Sequence, residues 1–224
     1  LQTDYLDLYL IHWPVSFRHS NTTIQPIDEE TGLVDMIDVP IKDTWAAMEC
    51  LVENGKIRII GVSNFTREKI DELFKTAKIR PAVNQIEAHP YLQQRDLLQW
   101  SNDNKIVAAG YSPLGNNIPR AVDDNLVVET ARKMGKSPAQ VLISWAVQRG
   151  MAVLPKSVTA ERIRSNFEDF ILPDDVFEAI QSLEKHQRMN FPARLGVDIF
   201  AELGEASAKQ SALTWAAEQK KLRN

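Results

Sequence analysis

Leu6-Asp7-Leu8-Tyr9-Leu10-Ile11-His12-Trp13-Pro14 is a nearly continuous apolar run that stops abruptly in polar and turn-forming residues. Hydrophobes at successive rather than alternate positions predict a strand buried on both faces. Four more runs share this character: Ile57–Val62, Ala82–Ile86, Ile106–Tyr111 and Ala152–Leu154. Between and after them lie helical patterns, at Lys42–Asn54, Thr66–Lys78, Gln94–Asn104, Asp124–Met134, Ser137–Arg149, Ala160–Phe170 and Pro173–His186. The clearest helix start is Ser137-Pro138, an N-cap residue followed by proline at the first helical position. Strand and helix alternate, so the sheet is expected to be parallel with right-handed crossovers. Two architectures fit that order, an open doubly wound sheet and a (β/α)8 barrel.

Residues 1–224 read as a single domain, with the stretch 196–224 as a C-terminal loop and helical tail whose helix covers Glu205–Arg223. Pro14–Pro40 reads as a long loop with turn chemistry at Asp28-Glu29-Glu30-Thr31-Gly32, and loops of that length are usually functional. The chain starts on a buried strand without lead-in, and so is expected to be cut from a longer one.

Composition narrows the function. The formal net charge is −4, which offers no electrostatic basis for nucleic acid or an anionic membrane surface as partner. No apolar run reaches the length of a transmembrane helix. The single cysteine, Cys50, fits a reducing compartment, and a cytoplasmic location is expected. The four histidines, at 12, 19, 89 and 186, lack metal-ligand spacing.

Each predicted strand ends in polar groups: His12, Ser63-Asn64, Gln85 with Glu87 and His89, Tyr111-Ser112, and Lys156-Ser157. In barrel enzymes the active site lies at the C-terminal strand ends. One such residue is most often a satisfied strand end; five sets together favour a shared site. No glycine-rich phosphate loop follows any strand. Lys156 and Arg162 instead flank a helix start, with Ser157 and Thr159 between them, an arrangement as compatible with a phosphate site as with solvated surface charge.

Five segments in order resemble the aldo-keto reductases: Leu8-Tyr9-Leu10-Ile11-His12-Trp13-Pro14, Gly61-Val62-Ser63-Asn64-Phe65, Asn84-Gln85-Ile86-Glu87, Tyr111-Ser112-Pro113-Leu114-Gly115 and Leu154-Pro155-Lys156-Ser157-Val158-Thr159. The nearest look is to fungal members related to glycerol dehydrogenase, aldose reductase and xylose reductase. The resemblance implies a (β/α)8 TIM barrel of the aldo-keto reductase type, incomplete, with its first three β-α units absent and strands four to eight present. It implies NADP(H) as cofactor, a small-molecule carbonyl or alcohol substrate, and a full-length monomer or weak dimer. His12 would orient and polarise the carbonyl, and Trp13 would line the substrate pocket. Ser63, Asn64 and Gln85 would hold the nicotinamide carboxamide, and Tyr111 would stack on its ring. Ser112, Leu114 and Asn116 would follow the pyrophosphate. Lys156, Ser157, Thr159 and Arg162 would hold the adenosine 2′-phosphate, and Asn166 would reach the adenine. The 14–40 loop and the tail after Phe191 would frame the substrate pocket.

The same resemblance implies a proton-donating tyrosine, assisted by a lysine and an aspartate, on strands that precede Leu1 in the family's order. Tyr5, Tyr9 and Tyr91 match no such motif. Three further departures stand out: Ser165 where an acidic residue is frequent, Asn116-Asn117 where small residues are usual, and Leu195 in place of a frequent aromatic. The expected function is hydride transfer between NADP(H) and a carbonyl or alcohol. The alternative is a catalytically impaired pseudo-reductase acting as an NADP-binding or interaction protein.

Overall fold

The computed structural model describes residues 2–116 and 119–223; Leu1 and Asn117 of the features above lie outside that range. The chain divides into two compact units, one running to Pro81 and resuming at Phe191, the other spanning Ala82–Asn190.

In the first unit, β1 (Leu6–Ile11) pairs in parallel with β4 (Ile57–Ser63), with Leu6 opposite Ile57 and Ile11 opposite Val62. Helix α1 (Ile41–Glu53) connects the 14–40 segment to β4. It buries Trp45 and Met48, and the Trp45 indole donates to the Ile79 carbonyl at 2.9 Å. Glu49, also on the buried face, accepts the amides of Lys78 and Ile79 and so ties α1 to the chain beyond α2 (Arg67–Phe74). Thr66 caps α2 by accepting the Lys69 amide. The unit closes with α8 (Glu205–Arg223), ahead of which Asp198 accepts three backbone amides, from Glu202, Leu203 and Gly204.

In the second unit, β5 (Val83–Glu87), β6 (Val107–Tyr111) and β7 (Ala152–Leu154) pair in parallel in that order. Ile86 and Ala88 pack with Leu98 of α3 (Arg95–Asp103), Ala108 and Met151. A second core gathers α4 (Asn125–Met134), α5 (Pro138–Gln148) and α7 (Asp174–Gln181) around Leu142, Trp145, Leu172 and Ile180. α6 (Ala160–Ser165) is short and contributes no buried residue. Helix α5 is buried continuously from Gln140 to Ala146. At its end the Arg149 guanidinium lies 4.6 Å over the Trp145 ring and donates to the Gln93 carbonyl at 2.7 Å. Burial, reinforced by the nearby Arg95 charge and partly offset by Glu184, holds Arg149 down to about 10.

The expected incomplete barrel, with only strands four to eight present, is corrected by these elements. Seven strands and eight α-helices form among the described residues. Two strands lie in the stretch read as loop: β2 (Ser16–Phe17) and β3 (Met36–Ile37) form an antiparallel ribbon, continued by a bridge between Ile27 and Val34. Strands of two residues are too short to show a period, which is why the sequence conceals them. A second correction concerns burial. Asn84, Ile86 and Glu87 of β5 are buried, but Leu8 and Tyr9 of β1 are 41% and 45% exposed, and Leu154 of β7 is 45% exposed. A continuous apolar run shows that a strand tolerates cover on both faces; it does not supply the cover.

The start of α5 has both halves of a capping box. Ser137 Oγ accepts the Gln140 amide at 3.2 Å, and Gln140 Oε1 accepts the Ser137 amide at 3.0 Å. Because α5 lies at the centre of its core, Ser137→Ala should lower the unfolding free energy by about 1 kcal/mol, read from the urea midpoint at unchanged slope.

Candidate active and cofactor site

In the first unit the ends of β1 and β4 bring His12, Trp13, Ser63 and Asn64 together. Asn64 sits at φ +62°, a left-handed conformation that asparagine tolerates better than most residues. From there its Nδ2 donates to the His12 carbonyl at 2.9 Å and to Ser63 Oγ at 3.2 Å. The backbone of His12 is thereby fixed by a side chain from the neighbouring strand. The imidazole itself is exposed and stacks on Trp13, with centroids 5.7 Å apart and rings 25° from parallel. Trp13 in turn meets Phe200 edge-on at 6.3 Å, and Phe200 meets Phe191 at 6.2 Å. Val34, Leu195 and Ile199 form the buried centre against which Trp13, Phe17, Ile27 and Met36 pack. The ribbon and the tail therefore build one apolar wall around Trp13, and Leu195, placed there instead of an aromatic, is nearly inaccessible.

In the second unit Gln85 and Glu87 share one face of β5, opposite the face of Ile86. Gln85 is half-buried, and Glu87 is fully buried and registered against Tyr111 of β6. Burial pushes the Tyr111 phenol above its ordinary range; the Glu87 charge adds to this and Arg188 opposes it. Tyr111 therefore stays a neutral, flat, partly buried ring. The chain then turns tightly, with Ser112 at φ +51°, the Gly115 amide bonded to the Ser112 carbonyl at 2.9 Å, and Gly115 at φ +77°. Leu114 packs on the α4–α5 core. Asn116 is exposed, and its Nδ2 donates to Asn190 Oδ1 at 2.8 Å.

After β7, a groove of about 550 Å³ is lined by Lys156, Ser157 and Asn166 together with Leu154, Ile163 and Phe167. Thr159 and Arg162 are not among its lining residues. Ser157 Oγ accepts the Thr159 amide at 3.1 Å, and Thr159 precedes α6 without capping it through its side chain. Lys156 and Arg162 are both exposed, and neither joins a salt bridge among the described residues.

The aldo/keto reductase family profile matches residues 1–185. The chain belongs to the aldo-keto reductase family. Aldo-keto reductase family 1 member A1 of Xenopus tropicalis is 40% identical over 202 residues, covering 86% of this chain and 61% of that protein. Aldose reductase C of Dictyostelium discoideum is 42% identical over 193 residues, covering 84% of this chain and 60% of its own length. The aldose reductase of Schistosoma japonicum superposes with a TM-score of 0.82 at 35% identity, over 89% of this chain and 66% of that one. The chain thus spans about three-fifths of the length of these curated relatives.

Within this aldo-keto reductase two of the remaining tyrosines, Tyr5 and Tyr91, are engaged elsewhere in the fold. Tyr91 donates to Asp124 Oδ2 at 2.6 Å beneath the Lys185 ammonium, and the exposed Tyr5 lies under Arg58. Two polar groups escaped assignment from sequence. Glu87 was visible as a carboxylate at an apolar strand end, the signal of a buried charge with a task. Asn190 carried no local signal, because its partners lie more than 70 residues away.

Glu87 accepts from His89 Nε2 at 2.9 Å, from the Met189 amide at 2.8 Å and from the Asn190 amide at 2.9 Å. Burial pushes its carboxyl upward, but these donors outweigh it and hold the group below its ordinary value. A depressed folded value means stability that is complete above the unfolded value of about 4.3 and is lost as pH falls through the folded value. Glu87→Gln should therefore flatten the acid limb of stability, read from unfolding midpoints across about pH 3 to 6. A Cβ at Gly115 would stand 2.6 Å from the Ala121 amide nitrogen, whereas one at Gly135, also at positive φ, would meet nothing within 4 Å. Gly115→Ala should cost more than the roughly 1–3 kcal/mol of a left-handed non-glycine residue, and Gly135→Ala no more than that, compared by denaturant unfolding.

Proposed function

We propose that this chain is the cofactor- and substrate-binding part of an NADP(H)-dependent oxidoreductase that interconverts an aldehyde or ketone and its alcohol. Family membership sets the class, and its relatives among the aldose reductases point to carbonyl compounds. The observation that carries the cofactor reading is the pair Lys156 and Arg162, exposed cations with no carboxylate partner among the described residues, one lining the groove beside Asn166. NADP(H), when bound, supplies the hydride.

The residues divide the work by chemistry. In the second unit Tyr111 offers a neutral flat face to a planar ring and Gln85 an amide to its carboxamide; in the first unit Ser63 and Asn64 offer a hydroxyl and an amide suited to the same group. Ser112, Leu114 and Asn116 border the diphosphate, Lys156, Ser157, Thr159 and Arg162 take the 2′-phosphate, and Asn166 takes the adenine. His12, with its backbone fixed by Asn64 and its ring laid against Trp13, presents an imidazole to the carbonyl oxygen, where negative charge develops. The apolar wall around Trp13 borders the substrate side. The exposed free thiol of Cys50 suits a reducing, cytoplasmic setting.

The 2′-phosphate distinguishes NADPH from NADH, and each charge-assisted hydrogen bond to it is worth about 1.5–3 kcal/mol. Arg162→Ala should therefore weaken NADPH binding roughly 10- to 150-fold and leave NADH binding nearly unchanged, in a fluorescence titration of the chain. Rising salt should erode the NADPH advantage. Equal weakening of both cofactors would remove Arg162 from the phosphate site. NADPH binding without turnover of an aromatic aldehyde is the outcome that the pseudo-reductase alternative requires.

A further inference from the structure

Residues 162–165 read Arg-Ile-Arg-Ser, a hydroxyl with one arginine three positions before it and another directly before it. The proposed hydride transfer uses neither Arg164 nor Ser165. Arg162 and Arg164 are exposed, and neither joins a salt bridge among the described residues. Ser165 is half-buried, and its hydroxyl makes a bond on exposed surface, donating to the Arg162 carbonyl at 3.2 Å. All four residues lie on α6, which is six residues long, lacks a side-chain cap and buries none of its residues. A helix that short is marginal without packing, so it opens locally at little cost. Phe167, two residues further on, is 85% exposed. A tie from elsewhere is Gln140 Nε2, which donates to the Ser165 carbonyl at 3.2 Å and must let go before the segment can extend. Two free guanidinium groups ahead of a serine suit an enzyme groove that presents carboxylates, with which guanidinium forms paired, charge-assisted bonds.

We propose that Ser165 is a phosphorylation site for a protein kinase that selects arginines, and that its phosphate captures Arg162 and so weakens the binding of NADP(H) but not of NAD(H). In the transfer, Ser165 Oγ bonds to the γ-phosphorus of ATP, its proton passes to the kinase's base, the bond to the β,γ-bridging oxygen breaks, and ADP leaves. The ester carries about −1.5 to −2 charges near pH 7 and three acceptor oxygens. Without its proton, Oγ can no longer donate to the Arg162 carbonyl. Positions 162 and 165 are neighbours on one helix face, whereas 164 and 165 point apart, so Arg162 is the partner within reach. The tethered phosphate and the cofactor's 2′-phosphate then compete for one guanidinium, and the tethered one has the higher effective concentration. This second step rests on Arg162 taking the 2′-phosphate, as proposed above; the modification itself does not.

The test has two arms, both on the 224-residue chain. In the first, the chain is incubated with ATP and the catalytic subunit of cyclic-AMP-dependent protein kinase, which selects arginine at the −3 position, and phosphate is located by mass spectrometry. Phosphate should appear at Ser165, disappear in Ser165→Ala, and fall roughly tenfold or more in Arg162→Ala. Absence of phosphate at Ser165, or incorporation indifferent to Arg162→Ala, would overturn the modification site. In the second arm, phosphoserine is placed at position 165 during translation, and NADPH and NADH are titrated by fluorescence. NADPH binding should weaken roughly 10- to 150-fold, the loss expected for Arg162→Ala, with NADH changed less than about threefold. Combined with Arg162→Ala, the phosphate should add little, because both act on the same bond. Unchanged NADPH affinity, equal weakening of both cofactors, or full additivity with Arg162→Ala would overturn the capture of Arg162. An unmodified chain that fails to bind NADPH would overturn the cofactor reading and the capture together, while the first arm still decides the modification.

Discussion

The burial of Glu87 is the constraint on which the arrangement of the second unit depends. A carboxylate with no solvent access at the end of a strand must be surrounded by donors, and donors in the right places restrict where the chain goes. Here they come from His89 on the same strand end and from two backbone amides about a hundred residues later. Satisfying one charge therefore fixes the path of the segment between α7 and the tail. That segment then meets the turn after β6, whose own geometry is set by Tyr111, Ser112 and Gly115. A local electrostatic requirement becomes a long-range topological one.

The first unit reaches a similar result by a different interaction. Asn64 takes a left-handed backbone conformation at the end of β4, and this turns its amide onto the His12 carbonyl. The imidazole stays exposed while its main chain is held, so reach and precision are divided between side chain and backbone. Trp13 completes the arrangement by joining the imidazole to an apolar wall made from two distant segments, the ribbon of β2 and β3 and the tail around Leu195 and Phe200.

The five parallel strands were legible because each is a β-branched apolar run with a polar end; Leu6–Ile11 and Ala152–Leu154 have the same limits in sequence and structure. The start of α5 was equally legible, since Ser137, Pro138 and Gln140 declare it within four residues. Helices α2, α6 and α7 are shorter than the helical patterns read from sequence, which run on into turns. The β2–β3 ribbon was not legible, nor was the exposure of Leu8, Tyr9 and Leu154, because both depend on what lies opposite and not on the segment itself. The candidate site divides in the same way. Residue types at strand ends could be named from sequence, whereas the bonds among Glu87, Asn190, Asn116 and Ser112 join positions that no periodicity connects.

The segment between β2 and β3 has two parts with different freedoms. Its base is packed: Ile27, Val34 and Met36 contribute to the wall around Trp13, and Arg18 pairs with Asp35. Its tip is not. The side-chain hydrogen bonds of His19, Ser20, Asn21, Thr22 and Thr23 all end within residues 19 to 25, and Ile24 is 89% exposed. A self-contained polar tip on a packed base is where a polypeptide accommodates changes of length. Insertions, tags or a protease nick at residues 20–24 can therefore be absorbed without disturbing the aromatic wall, which makes the tip the natural attachment point for a probe and leaves the base as the part where sequence change alters the packing around Trp13.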